Sequence, residues 1–104
     1  MYNLGIPSSF KAYIDHIGRV GKTFRYTEKG PVGLAGDKKV MVLAARGGLY
    51  ANTPADTQTP YIQSIFGYFG ISDQTFVYAE GLNISPEMKE KGMAGAVAEI
   101  KALF

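Results

Sequence analysis

An α/β fold built on a parallel sheet is what this sequence predicts. Stretches whose apolar residues recur every three or four positions alternate with short, nearly continuous apolar runs, in the order helix, loop, strand, helix, strand, helix. One run, KKVMVLAA (Lys38–Ala45), is too short for a helix, is bounded by Gly36 and Gly47-Gly48, and has the composition of a strand buried on both faces. Two strands make a poor sheet, so this run calls for further strands at its edges and helices on its faces.

The elements follow in order. Ile6, Phe10, Tyr13, Ile14, Ile17 and Val20 form one helical stripe, with Pro7 suited to the first turn and Gly21 to the C-terminal end, so a helix is expected from about Pro7 to Val20. GKTFRYTEKGPVGLAGDKK carries four glycines and a proline with no sustained period and is expected to be a long loop, a type of segment that is often functional. After the first strand, Thr59 and Pro60 supply a cap and first-turn signal. Tyr61, Ile62, Ile65, Phe66 and Phe69 give the next helix a buried face before Gly70 stops it. QTFVYAE (Gln74–Glu80) is the second strand. Ser85 and Pro86 repeat the cap signal for a last helix lined by Met88, Met93, Ala96, Val97, Ile100 and Phe104, in which Gly92 and Gly95 each cost about 1 kcal/mol relative to alanine.

Composition narrows the chemistry. The 104 residues allow one domain, and a net charge of +2 falls short of the basic stripe that nucleic acid requires. There is no cysteine and a single histidine, which leaves no thiolate or imidazole cluster for a metal. The first residues lack the blocks of a signal peptide, and no apolar run approaches the roughly 20 residues of a membrane span, so a soluble, cytoplasmic protein is expected.

In doubly wound folds ligands sit beyond the carboxyl ends of the strands. MYNLG before the first helix and ARGGLY (Ala45–Tyr50) after the first strand occupy such places. Gly47 and Gly48 let a backbone approach a planar ligand and turn its N–H groups toward acceptors, while Asn3 brings both a donor and an acceptor. Together they suit the edge of a flat heterocycle with alternating carbonyls and ring nitrogens. Taken alone, a Gly-Gly pair after a strand more often marks an ordinary turn.

MYNLGIPSSFKAYID, GKTFRYTEKGPVGL, KKVMVLAARGG, TPYIQSIFGYFGI and FVYAEGL together resemble the C-terminal half of the FMN-dependent NADH azoreductases, enzymes related to the NAD(P)H quinone reductases. The likeness runs through essentially all 104 residues. It implies a partial flavodoxin-like doubly wound parallel sheet, two strands and three helices over residues 1–104, as one half of an FMN-binding domain. It further implies that Met1, Tyr2, Asn3 and Leu4 wrap the isoalloxazine ring and that Ala45, Arg46, Gly47 and Gly48 contact its polar edge. The family usually has Phe at the position of Leu4 and Ser at that of Ala45, and the second change removes a hydroxyl. Tyr26 and Tyr68 match aromatic residues on the substrate side of the flavin, one of which reaches across a homodimer interface. For Tyr68 an ordinary surface or core position is the equal alternative; the loop setting of Tyr26 favours function.

Under this resemblance the parent enzyme passes a hydride from NADH to FMN and then to a quinone or azo compound, and no protein nucleophile is needed because the cofactor carries the chemistry. The family's serine-rich phosphate loop has no counterpart here, so an upstream half is expected, with Met1 internal or at a truncation. The rival readings are an FMN-binding electron-transfer module, against which the aromatic TFRYT loop speaks, and an inactive remnant. Arg46 either faces the charge that develops on the reduced flavin or is salt-bridged at the surface. His16, off the apolar stripe, belongs in solvent or at an interface rather than in acid/base chemistry.

Overall fold

The computed structural model describes residues 1 and 3–104. Along the chain these form α1 (Ser8–Ile17), β1 (Phe24–Thr27), β2 (Gly30–Gly33), β3 (Lys39–Ala45), α2 (Thr59–Tyr68), β4 (Asp73–Ala79) and α3 (Pro86–Leu103). They belong to two compact units: α1, the β1–β2 pair and α2 in one, and most of β3 with β4 and α3 in the other.

In the first unit α1 buries Ile14 and carries the exposed Lys11–Asp15 ion pair one turn apart at 2.7 Å. It is shorter than its apolar stripe. Pro7 stands at the cap position rather than inside the first turn, and Gly18, not Gly21, ends the helix. Thr23 enforces the early stop, because its hydroxyl donates to the Ile17 carbonyl at 2.7 Å and accepts from the Arg19 N–H at 3.0 Å. A side chain beyond the helix thus satisfies groups that a further turn would have used.

The segment expected to be a loop contains a hairpin. β1 and β2 pair antiparallel from Phe24–Gly33 to Thr27–Gly30, around Glu28 and Lys29. Gly30 takes a φ of +108°, and Thr27 donates to its carbonyl at 2.6 Å. Four residues per strand are too few for a visible alternation, and Gly30, Pro31 and Gly33 have the composition of a loop. A proline is tolerated because each strand of a two-stranded ribbon is an edge.

Close backbone packing seats the hairpin on the end of α2. Ala35 donates to the Phe69 carbonyl at 2.8 Å, and a β-carbon on Gly33 would lie 2.0 Å from the Gly70 nitrogen. Phe24 is thereby buried against Tyr68, ring centroids 4.9 Å apart and edge to face, and against Phe69 at 6.5 Å. Ile14, Ile62, Phe66, Phe69 and Ile71 complete this core. α2 begins at Thr59 with Gln58 at the cap position, so Pro60 is its second residue rather than its first. The shift is harmless, since the first N–H groups of a helix lack intrahelical partners.

In the second unit β3 and β4 lie side by side as a small parallel sheet, each within one residue of its expected bounds. The burial of β3 differs from expectation. Its residues alternate between exposed and half-buried, and Leu43 is 60% exposed. Within this unit α3 is the one helix among the described residues, and a strand buries both faces only where a layer packs on each. α3 starts as expected: Ser85 accepts the Met88 N–H at 3.1 Å, with Pro86 in the first position. Met93, Val97 and Ile100 line a hollow with Leu43 and Val77. Among the described residues no helix is long and apolar enough to cross a membrane.

The two glycines of α3 have different reasons to be there. A β-carbon on Gly92 would meet the Glu80 carbonyl oxygen at 2.2 Å, whereas one on Gly95 would meet nothing within 4 Å. Gly92 therefore lets the helix approach the end of β4, and Gly95 is a plain helix weakener. Gly95→Ala is expected to stabilise the protein by up to about 1 kcal/mol. Gly92→Ala should destabilise it by about 1–3 kcal/mol, because overpacking against backbone outweighs the gain in helix propensity. Thermal or urea unfolding of the two variants checks the opposite signs.

Candidate functional site

At the end of β3 the chain enters a glycine turn that is stitched to the segment following β4. Arg46 donates to the Ala79 carbonyl at 2.9 Å, and the carbonyls of Arg46, Gly47 and Gly48 accept from Leu82, Asn83 and Gly81 at 3.2, 3.1 and 3.0 Å. The turn's carbonyls are thus consumed. The N–H groups of Gly47 and Gly48 donate to no acceptor among the described residues. A β-carbon at Gly47 would stand 2.9 Å from the Asn83 amide, and one at Gly48 would touch the Tyr50 ring at 3.0 Å. Two bare glycines therefore present donors where any side chain would intrude on a neighbour.

Beneath the turn lies a buried ion network. The Arg46 side chain, 1% exposed, forks onto Asp56, Nη1 to Oδ2 and Nη2 to Oδ1 at 3.1 Å each, while Nη1 also donates to Glu80 Oε2 at 3.0 Å. The guanidinium carbon stands 4.8 Å from the centroid of Tyr78. Burial works against the arginine's charge, and its hydrogen bonds to Glu80 and Asp56 outweigh that cost, so its pKa is raised. Glu80 reaches further, accepting the N–H groups of Tyr50 and Ala51 at 3.0 and 3.1 Å. Of the two expectations for Arg46, the salt-bridged one describes its side chain, but inside the protein rather than at the surface.

The other turn, before α1, carries local strain. Asn3 and Leu4 both adopt positive φ, 48° and 66°, a conformation uncommon outside glycine that is found preferentially at functional sites. It is held from the start of α2: Thr57 Oγ1 donates to the Leu4 carbonyl, and Gln58 Nε2 to the Gly5 carbonyl at 2.7 Å. Both Asn3 and Leu4 are exposed, and Asn3 lines a groove with Ile6, Pro7, Ser8 and Ser9. Met1 is half-buried and Ala45 exposed, whereas Tyr2 lies outside the described residues. Asp56, Glu80, Thr57 and Gln58 were not singled out from the sequence. A carboxylate directly after a strand, as in FVYAE, is the one local signal that could have marked Glu80.

Tyr26 and Tyr68 are brought together. Tyr26 packs edge to face on Phe24 at 5.5 Å, Tyr68 packs on the same ring, and the two phenols share a hydrogen bond. His16 is exposed on α1. Among the described residues no group of acidic or histidine side chains could hold a metal ion.

The hydrogen bond to Tyr26 and partial burial both raise the Tyr68 pKa above its ordinary value. The raised value favours the neutral phenol in the folded state. Its contribution to stability is therefore in place below the ordinary tyrosine value of about 10 and disappears as pH climbs through the higher folded value. Tyr26→Phe should bring the Tyr68 titration down toward about 10, as followed by tyrosinate absorbance. An unchanged titration would separate the two phenols.

The family model described as flavodoxin-like fold matches residues 1–104. A curated relative from Alcanivorax borkumensis, named FMN-dependent NADH:quinone oxidoreductase, is 60% identical over 102 residues, which are 98% of this chain and 52% of the relative. One of the same name from Dechloromonas aromatica is 53% identical over 104 residues, 100% of this chain and 52% of its own. Among solved structures, an azoreductase from Bacillus anthracis superposes with a TM-score of 0.86 at 42% identity, covering 94% of this chain and 49% of that one. An FMN-dependent NADH-azoreductase from the same species, solved in complex with FMN, gives 0.82 at 32% identity, covering 99% and 52%. The chain spans about half the length of the curated relatives it matches. With a family match running from its first residue to its last, this protein belongs to the flavodoxin-like fold family.

Proposed function

We propose that residues 1–104 are the C-terminal half of a flavodoxin-like FMN-binding domain and serve an FMN-dependent NADH:quinone or azo-compound oxidoreductase. The observation that carries this reading is the 60% identity, over nearly the whole chain, to a relative bearing that activity in its name. The geometry of the two turns supports it.

Each of the two turns, taken by itself, offers groups that suit a flavin ring. Gly47 and Gly48 offer two backbone donors and no β-carbon, which suits the acceptor-rich edge of a flat heterocycle. Asn3 adds a donor and an acceptor from a turn whose strained conformation is fastened by Thr57 and Gln58. FMN, when bound, would supply the two-electron chemistry between NADH and the acceptor. The chain's own residues bind, orient and shield. Tyr26 and Tyr68 give an aromatic surface for a planar quinone or azo compound. Tyr26, 64% exposed, is free to meet a second subunit, which supports a homodimer. A cytoplasmic setting belongs to the same reading, as NADH is its electron donor.

The test joins the chain to the half of the Alcanivorax borkumensis relative that it does not match. The chimera is expected to hold FMN and oxidise NADH in the presence of a quinone or azo dye. The chain alone should bind FMN roughly three or more orders of magnitude more weakly, because several charge-assisted phosphate hydrogen bonds of about 1.5–3 kcal/mol each are missing. A folded chimera that binds no FMN would overturn the proposal. In the chimera, Asn3→Leu should weaken FMN binding by about 1–3 kcal/mol, the cost of leaving a buried polar partner unpaired. Fluorescence titration measures it, and unchanged affinity removes Asn3 from the site.

A further inference from the structure

We infer that Asp56 and Glu80, acting through Arg46, are positioning residues that hold the Gly47–Gly48 turn in the geometry in which its N–H groups meet the ring edge of FMN. The inference rests on the flavin reading above, but it assigns a role to two carboxylates outside both ring-binding turns.

Arg46, Asp56 and Glu80 bring one positive and two negative charges together, with side-chain exposures of 1%, 5% and 12%. Such a cluster survives only where every group is answered. The second carboxylate is answered by backbone: the N–H groups of Tyr50 and Ala51 donate to Glu80, just beyond the glycine turn. On the near side of the turn stands Arg46 itself, whose backbone N–H is bonded to Ala79 at the end of β4 and whose carbonyl is bonded to Leu82 in the segment after it. The flexible pair Gly47-Gly48 is therefore clamped at both ends by one carboxylate, through the arginine on one side and through two amides on the other.

Asp56 fixes the arginine's plane. Its bidentate contact takes one hydrogen of Nη1 and one of Nη2, so that the guanidinium cannot rotate without breaking two charge-assisted bonds. A chain of turns ties Asp56 back to the same loop, as its N–H donates to the Thr53 carbonyl at 3.1 Å and that of Thr53 to the Tyr50 carbonyl at 3.0 Å. Glycine has the most backbone freedom to lose on binding. A turn already immobilised by the ion network loses that freedom on folding instead, so its donors meet a ligand at less entropic cost.

The test uses Glu80→Gln and, separately, Asp56→Asn in the full 104-residue chain. Both are isosteric, and the amide that replaces the Glu80 carboxylate still offers an acceptor oxygen to Tyr50 and Ala51, so the fold should persist. Backbone order parameters from NMR relaxation are read at Gly47 and Gly48, with Val77 and Ala96 as internal references. FMN is titrated into the chimera described above and into the same chimera carrying each substitution, while the glycine amides are followed. The expected result is lower order at the glycines alone and FMN binding weakened by about tenfold or more. Loss of order at all four positions alike would make the network merely structural and overturn the inference. So would FMN affinity equal to that of the parent chimera. If FMN leaves the glycine amides of the folded parent chimera unperturbed, the flavin reading of this turn fails and this inference with it, whereas bound parent and equally bound variants overturn this inference alone.

Discussion

A guanidinium almost wholly removed from water has to be matched by acceptors placed before it arrives, and that demand on Arg46 organises the second unit. Its partners come from two places far apart in sequence, Asp56 in the loop after β3 and Glu80 directly after β4. Meeting both fixes where the ends of the two strands lie. Removing one partner of such a buried set costs about 3–5 kcal/mol, because the remaining charge is left uncompensated. A network of this kind contributes little net stability over an apolar packing of equal volume. What it does provide is a single arrangement of the loop between Ala45 and Asp56, which would otherwise be a glycine-rich segment with many.

The first unit reaches comparable definition by a different route, through backbone contact. Gly33 and Gly70 allow the hairpin and the end of α2 to approach so closely that a β-carbon on the former would overlap backbone. The approach carries Phe24 onto Tyr68 and Phe69, and the phenol of Tyr26 onto that of Tyr68. Two tyrosines from distant parts of the sequence thus share one aromatic ring and one hydrogen bond. Each unit uses a specific constraint to place polar or aromatic groups at its surface.

The parts of this architecture that could be read from sequence are those set by local rules. The Ser85-Pro86 cap, the apolar periodicity of α2 and the β-branched and aromatic run of β4 gave their elements within a residue or so. The hairpin could not be read this way, because its strands are short, its composition is that of a loop, and its stability comes from packing on α2. The end of α1 was missed for a related reason: Thr23, six residues past Ile17, terminates the helix through a side-chain bond that no periodicity reveals. At the candidate site the glycines and Asn3 are conspicuous by type and position. Asp56 and Glu80 are ordinary acidic residues until the fold carries them to one arginine, and the inward direction of Arg46 is likewise a tertiary fact.

The two turns assigned to the flavin solve one physical problem in two ways. To meet a flat ligand edge, backbone donors and a side-chain amide must be stationary, yet the conformations that expose them are the ones a chain holds least readily. At Gly47 and Gly48 the difficulty is excess freedom, and it is met by anchoring both flanks to charges. At Asn3 and Leu4 the difficulty is strain, since left-handed backbone costs non-glycine residues about 1–2 kcal/mol each. There the anchors are neutral hydrogen bonds, from Thr57 to Leu4 and from Gln58 to Gly5, which together contribute about the same amount as the strain they oppose. Their near balance explains why two adjacent polar side chains at the head of α2 are both spent on carbonyls of one turn: a single bond of that strength would leave the strained conformation short of its cost, and Asn3 would have no fixed direction in which to present its amide.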